Sequence, residues 1–287
     1  MIGIGIHAGV SMAEYLALDA IGSTHLSWLD VSPLYYQHMR KLNERDTEST
    51  SLGTAVHTAV LEPETFKSRY VSEPDLDEIG GAKPRATKAY KEAVAVLEAS
   101  GREVMRNDVS GKVWAMAQAV HAHPLAAKLL RIATERELTM LWDQGFGRPD
   151  GSIGTRLCRG RADAIGGGVL VDLKTTRSLA RFSPFELTKF AYHRQQALYR
   201  AGSAALGLKV QHVFVIAVES VAPFDVGVFE MDEDSLSVGE NECTELLNRL
   251  AECEASRTWP GMFPELQKGT LTDYVIAEAA LADLEVA

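Results

Sequence analysis

The forty residues from Glu137 to Thr176 constrain the fold more than any other part of the chain. They hold three runs rich in branched and aromatic side chains: "ELTMLW" (Glu137–Trp142), "TRLCRGRADAI" (Thr155–Ile165) and "VLVDLKTT" (Val169–Thr176). Two glycine-rich connectors, "GFGRPDGSIG" and Gly166–Gly168, separate them. Strand-like runs joined by glycine turns predict an antiparallel meander. The third run also sets a puzzle, because it carries an acid and a base, Asp172 and Lys174, where a core strand should be apolar.

The flanking sequence has a helical period. Before the meander, "MAEYLALDA" leads into "STHLSWLDVSPLYYQHMRKL", with Ser23 or Thr24 as the cap of one helix and Ser32-Pro33 opening the next. "STSLGTAVHTAVLEPETF" offers Ser49 or Ser51 as a cap and ends at Pro63. Residues 71–86 are rich in Pro, Gly and acids and read as a loop. Helices follow over "TKAYKEAVAVLEAS", stopping at Gly101, and over Lys112–Ala133, with a break at Pro124. After the meander come a long helix over Glu186–Leu206, strands at His212–Ser220 and Phe224–Glu230, and helices at Ser235–Ser256 and Leu271–Leu284. This order predicts an α/β fold of the α+β-like kind, a mixed sheet flanked by helices. It is expected to form one domain over 1–287, with a mainly helical portion (1–134), a sheet with its following helix (135–230) and a helical C-terminal portion (231–287).

Composition narrows the class. With 46% hydrophobic and 24% charged residues the chain is ordinary for a globular protein. No run approaches a membrane span, and the start, "MIGIGIHAGVSMAEY", lacks the basic region of a signal peptide. Cys158, Cys243 and Cys253 are scattered and odd in number, which suits reduced thiols in the cytoplasm rather than disulfides or a four-cysteine metal site. The net charge of −10 hides an asymmetry. Residues 151–210 hold ten bases against three acids, whereas residues 221–287 hold three bases against fifteen acids. A basic centre and an acidic tail are expected when positive potential is confined to one surface, as a polyanion partner requires.

Side chains on a strand alternate, so Asp172 and Lys174 point the same way. A tight turn at Gly166–Gly168 brings Asp163 close to Asp172, and Glu137 joins from the neighbouring strand. Three carboxylates beside one lysine disfavour one another's ionisation. A hard divalent cation, Mg²⁺ or Mn²⁺, removes that penalty. On the next helix, Gln195 and Tyr199 share a face by their four-residue spacing. A D-x-K triplet alone is equally compatible with a surface ion pair. The ordered set is more specific than any of its members.

That set, Glu137, Asp163, Asp172-Leu173-Lys174 and Gln195-x-x-x-Tyr199, resembles the PD-(D/E)xK nuclease superfamily. It is similar to the RecB-like branch, and closer still to the RecE-type exonuclease domain of phages and prophages. "STHLSWLDVSPLYYQH", "SLGTAVHTAVLEPETF", "RATKAYK", "RGRADAI", "VDLKTT", "YHRQQALYRAG" and "TWPGMF" fall in that family's order and cover most of the chain. Asp172 stands where many superfamily members have Glu, a departure that RecE-like members share. The iron–sulfur branch needs four cysteines and is excluded by the three present.

The resemblance implies a restriction-endonuclease-like core with a helical N-terminal portion. It implies that Glu137, Asp163 and Asp172 bind one or two Mg²⁺ (or Mn²⁺) ions, with the Leu173 carbonyl and His57 as further ligands. Lys174 would orient or deprotonate the attacking water, and Gln195 and Tyr199 would be positioning residues that contact the active-site backbone or the DNA. The activity implied is 5′-to-3′ digestion of one strand of duplex DNA from its ends, leaving 3′ single-stranded tails. The implied assembly is a homo-oligomeric ring, trimer or tetramer, acting with a single-strand annealing protein, with a basic channel and the acidic C-terminal helices facing outward. Capture of a 5′ phosphate needs an arginine fork, for which Arg161, Arg177, Arg181 and Arg194 are candidates. An endonuclease or repair nuclease of the same superfamily, and a DNA-binding module without catalysis, are the alternatives.

Overall fold

A computed structural model of the chain describes residues 2–42 and 51–269. The candidate cap Ser49 and the expected helix Leu271–Leu284 lie outside the described residues. The first part is largely helical: β1 (Gly5–His7), α1 (Met12–Leu16), α2 (Ser23–Val31), α3 (Pro33–Leu42), α4 (Ser51–Leu61), α5 (Pro63–Arg69), β2 (Tyr70–Ser72), α6 (Leu76–Ile79), α7 (Lys88–Ala99), β3 (Glu103–Met105), α8 (Asn107–Ala122) and α9 (Pro124–Ile132). The meander follows as β4 (Glu135–Gly147), β5 (Ile153–Gly166) and β6 (Val169–Thr176). The remainder comprises α10 (Leu179–Arg181), a π-helical turn over Phe182–Glu186, α11 (Leu187–Lys189), α12 (Tyr192–Ala205), β7 (His212–Glu219), β8 (Val226–Glu230) and α13 (Glu233–Ser256).

Six strands form one mixed sheet in the order β1-β4-β5-β6-β7-β8. The meander is antiparallel, β7 runs parallel to β6, and β8 returns antiparallel. Both faces are covered, which explains why β6 reads as a nearly continuous aliphatic run. On one face Leu138, Met140, Trp142 and Leu170 pack with side chains of α2, α12 and α13. On the other, Val169, Val171 and Leu173 pack with α4, α8 and α9. The first layer is very close. A Cβ on Gly202 would stand 2.7 Å from the Trp142 ring, and one on Gly239 would stand 2.7 Å from the His193 carbonyl, so α12 fits between β4 and α13 only because both positions lack a side chain. Among the described residues no helix is long and apolar enough to cross a membrane.

Several expectations need correction. Helix α2 is capped by Gly22, not by Ser23 or Thr24: the Gly22 N–H donates to His25 Nδ1 at 3.0 Å, and both hydroxyl residues fall near or inside the first turn. Ser32 does cap the next helix, accepting from Tyr35 N–H ahead of Pro33. Residues 71–86 are not a plain loop. Buried Glu73 accepts two hydrogen bonds from Arg85, one from the Tyr90 hydroxyl and one from Asn107 N–H, and these draw the segment onto the parallel β2–β3 pair. The long helix over Glu186–Leu206 is broken: Ala191 has φ 49°, and α12 begins only at Tyr192. Strand β8 starts at Val226, after a cis Ala222–Pro223 bond. The edge strand β1 was not anticipated.

The basic segment and the acidic C-terminal portion meet in part, while Asp234, Glu245 and Glu252 of α13 are exposed as expected. Helix α13 lies against the basic segment and pairs with three of its ten bases, Glu254 with Arg156, Glu242 with Arg194, and Glu233 and Glu240 with Arg200. Arg177, Arg181 and Lys189 are exposed and have no acidic partner among the described residues.

Candidate active site

Three carboxylates share one transverse row of the sheet. The β4–β5 ladder pairs Arg136 with Ala164 and Leu138 with Ala162, which sets Glu137 opposite Asp163. The β5–β6 ladder ends with Ala164 opposite Val171, so the next step sets Asp163 opposite Asp172. Pairing stops there, and Leu173 N–H donates instead to Asp163 Oδ2 at 2.7 Å. Glu137 has φ 48°, a left-handed conformation that a glutamate rarely adopts. The ladder on both sides holds it there, and strain of this kind gathers at functional sites.

Each carboxylate meets a different partner. Arg161 Nε donates to Glu137 Oε2 at 2.6 Å, while its Nη1 donates to the Val10 carbonyl. Asp172 is 2% exposed, with Oδ2 at 2.7 Å from Lys174 Nζ. Its Oδ1 accepts from Gln195 Nε2 at 3.4 Å, and the same nitrogen lies 3.3 Å from the Tyr199 hydroxyl. The four-residue spacing on α12 therefore reaches the D-x-K strand. From the opposite layer, α4 brings His57 Nδ1 to 3.5 Å from Asp163 Oδ2.

Burial and crowding tune the group. Burial, and then the Asp172 charge, raise Asp163 to about 7 despite Lys174, the Leu173 N–H and Arg161. Burial and Asp163 likewise raise Glu137 against its Arg161 bond. Burial and the Lys174 charge lower His57, favouring the neutral imidazole that can act as a ligand. Burial alone would lower Lys174, but Asp172 and Asp163 outweigh it and hold the ammonium above its ordinary value.

This donor set fits a divalent cation. His57, Glu137 and Asp163 each place one ligand atom within 4.8 Å of the others. Two crowded, part-buried carboxylates with raised pKa values are a site that a cation would stabilise. Asp172 stands outside that trio, its oxygens turned to Lys174 and Gln195.

The candidate arginines divide into two pairs. Arg161 is committed to Glu137, and buried Arg194 is bound by Asp30, Glu242 and Ser27. Arg177 and Arg181 are exposed. A cleft of about 220 Å³ opens beside Gln195, between Ser23 and Ser27 of α2 and Phe190 and Arg194. Sequence reasoning missed Tyr192, whose ring centroid lies 4.8 Å from Lys174 Nζ. The aromatic run Phe190-Ala191-Tyr192 just ahead of Gln195 was the available signal.

Acids on three adjacent strands, a D-x-K lysine and a Q-x-x-x-Y helix together define a PD-(D/E)xK-type protein. A family model described as "PDDEXK-like domain of unknown function (DUF3799)" matches residues 32–267, and the chain belongs to that family. The resemblance read from the sequence therefore holds at the level of the superfamily. Among solved structures, the chain is similar to a candidate exonuclease from Eubacterium rectale at 14% identity, covering 93% of this chain and 97% of that one with a TM-score of 0.48. It is also similar to an alkaline exonuclease from Laribacter hongkongensis at 13% identity, covering 80% and 99% with a TM-score of 0.26. At such scores neither likeness bears on the activity. No curated protein matches the chain closely enough to count as a relative.

Proposed function

We propose that the protein is a metal-dependent DNA exonuclease of the RecE type, digesting one strand of duplex DNA 5′-to-3′ from its ends and leaving 3′ single-stranded tails. One observation carries the reading: Glu137, Asp163 and Asp172 occupy one row of three adjacent strands, with His57, Lys174 and Gln195 converging on it. Glu137, Asp163 and His57 hold the cation, Mg²⁺ or Mn²⁺, with Asp172 and the Leu173 carbonyl available to a second ion or a shifted first one. The bound cation supplies Lewis acidity toward water and the scissile phosphate.

The chain's own residues do the rest. Lys174 acts as a fixed positive charge beside the phosphate, since the carboxylates that keep it protonated leave it a poor base. Gln195 holds Asp172 and is itself steadied by Tyr199. Arg177 or Arg181, without an acidic partner among the described residues, takes a terminal phosphate better than the committed Arg161 or Arg194. The reading includes one nuclease domain acting in the cytoplasm, a ring of three or four copies, and a single-strand annealing partner.

The test is digestion of 5′-phosphorylated linear duplex with Mg²⁺, with EDTA, and with Asp172→Asn. Covalently closed duplex is the control. Metal-dependent loss of linear substrate, absent in the variant, is expected. Robust cutting of closed circles would make the protein an endonuclease instead, and binding without cleavage would make it a DNA-binding module.

A further inference from the structure

The segment from Arg177 to Tyr192, which links the D-x-K strand to the Q-x-x-x-Y helix, is built unlike the rest of the molecule. It breaks regular helix twice, at the π-helical turn over Phe182–Glu186 and at Ala191 with φ 49°. Turns of the first kind are rare and concentrate at functional sites. The segment is anchored by Phe182, which is fully buried against Tyr192 and Phe229 at 5.9 and 5.0 Å between centroids. Its other two phenylalanines are not buried: Phe185 is 60% exposed and Phe190 is 50% exposed. Exposed rings on an already anchored segment contribute little to its folding.

Their surroundings point to a ligand. The Arg181 guanidinium lies 6.0 Å from the Phe185 ring centroid, and Lys189 Nζ lies 5.3 Å from that of Phe190. The segment's acid, Glu186, is turned away to the Thr176 hydroxyl at 2.9 Å. Phe190 is 5.6 Å from the Tyr192 ring, which in turn is 4.8 Å from Lys174 Nζ. Aromatic steps therefore lead from the surface to the lysine of the acidic row, and Phe190 also walls the cleft that ends at Gln195.

We propose that this segment is a platform for the unpaired nucleotides of a DNA strand end, with Phe185 and Phe190 stacking on bases and Arg181 and Lys189 holding phosphates. The proposal rests on the nuclease reading of the adjacent row. Alternating flat rings and cations are what single-stranded nucleic acid requires, because every base has a π-face and every linkage a negative charge. Bases in an intact duplex are stacked on one another, so the occupant has to be unpaired. A protein partner would suit the phenylalanines and Arg181 but not Lys189, since lysine is depleted from the centres of protein interfaces, whereas a nucleic-acid strand suits all four.

The probe is a short labelled oligothymidine, followed by fluorescence anisotropy in EDTA so that nothing is cleaved. Phe185→Ala and Phe190→Ala are each expected to weaken binding about tenfold. Phe190→Leu, which keeps the apolar bulk but not the flat ring, should bind as poorly as Phe190→Ala, and Phe190→Trp should bind like wild type. Melting temperatures should match wild type, because both rings are exposed. If wild type binds and the phenylalanine variants bind equally well, the platform is wrong. If the variants change particle size by light scattering and leave binding intact, the rings are a protein contact and the proposal is again overturned. If wild type neither binds DNA nor degrades linear duplex with Mg²⁺, the nuclease reading itself fails and takes the platform with it.

Discussion

Asp163 and Asp172 face each other across β5 and β6 at the step where those strands stop pairing. Burial and the neighbouring Asp172 charge raise Asp163 to about 7. The folded chain then holds a proton that the unfolded chain has released above roughly pH 4. Stability without metal should therefore fall as the pH rises from about 4 to about 7. In EDTA at pH 8, Asp163→Asn should melt above wild type, and the gap should close toward pH 4. Added Mn²⁺ should raise the melting temperature of wild type and not that of the variant. A variant that melts lower at pH 8 and still responds to Mn²⁺ would refute the crowding account.

Lys174 is expected to matter through its charge and position. Lys174→Met should lower the rate of duplex digestion by about 100-fold or more, the scale seen when one pre-organised electrostatic group is removed. Lys174→Arg keeps the charge but not the compact geometry beside Asp172, and should rescue only in part. Steady-state digestion of linear duplex measures both.

Glu73 should control acid stability. The Arg85 hydrogen bonds, helped by Tyr90 and Asn107, hold its carboxyl at about 2. A carboxyl depressed on folding stabilises the protein above its unfolded value, near 4.3, and loses that contribution as the pH falls toward 2. Urea midpoints for wild type should drop across that window. Glu73→Gln should be less stable at pH 7 and should show a flatter acid limb.

Gly239→Ala tests the closeness of the α12–α13 layer. The new methyl group would meet the His193 carbonyl at 2.7 Å, and backbone yields less readily than a side chain. A destabilisation of about 1–3 kcal/mol is expected from denaturant titration. Because α12 carries Gln195, digestion should slow as well, whereas the exposed Gly81, with nothing near its Cβ, should tolerate alanine packing though not its own φ of 85°.

Much of the sheet was legible because glycine turns and aliphatic runs are local signals, and strand alternation alone put Asp172 beside Lys174. The row itself depended on one register, fixed by the turn at Gly166–Gly168, and so it too could be inferred. What escaped was decided by distant partners. Nothing local marks Glu73 as the charge that orders residues 71–86, since its ligands lie 12 to 34 residues away. The break at Ala191 is invisible to helical periodicity because alanine favours helix, and tertiary packing of Tyr192 over Lys174 accompanies the break. The count of charges was legible, but the folding back of α13 onto Arg156, Arg194 and Arg200 was not, because it depends on contacts between segments distant in sequence.

That folding back has a thermodynamic consequence for any polyanion the protein handles. Arginines already neutralised by α13 hold no condensed anions to exchange, so ion release falls mainly to Arg177, Arg181 and Lys189 and to the counter-ions of the DNA they touch. With about three phosphates neutralised, the logarithm of affinity should fall with the logarithm of salt concentration at a slope of only about −2 to −3. On the exonuclease reading proposed above, such a grip would be weak enough to be remade at each nucleotide and local enough to follow a moving strand end.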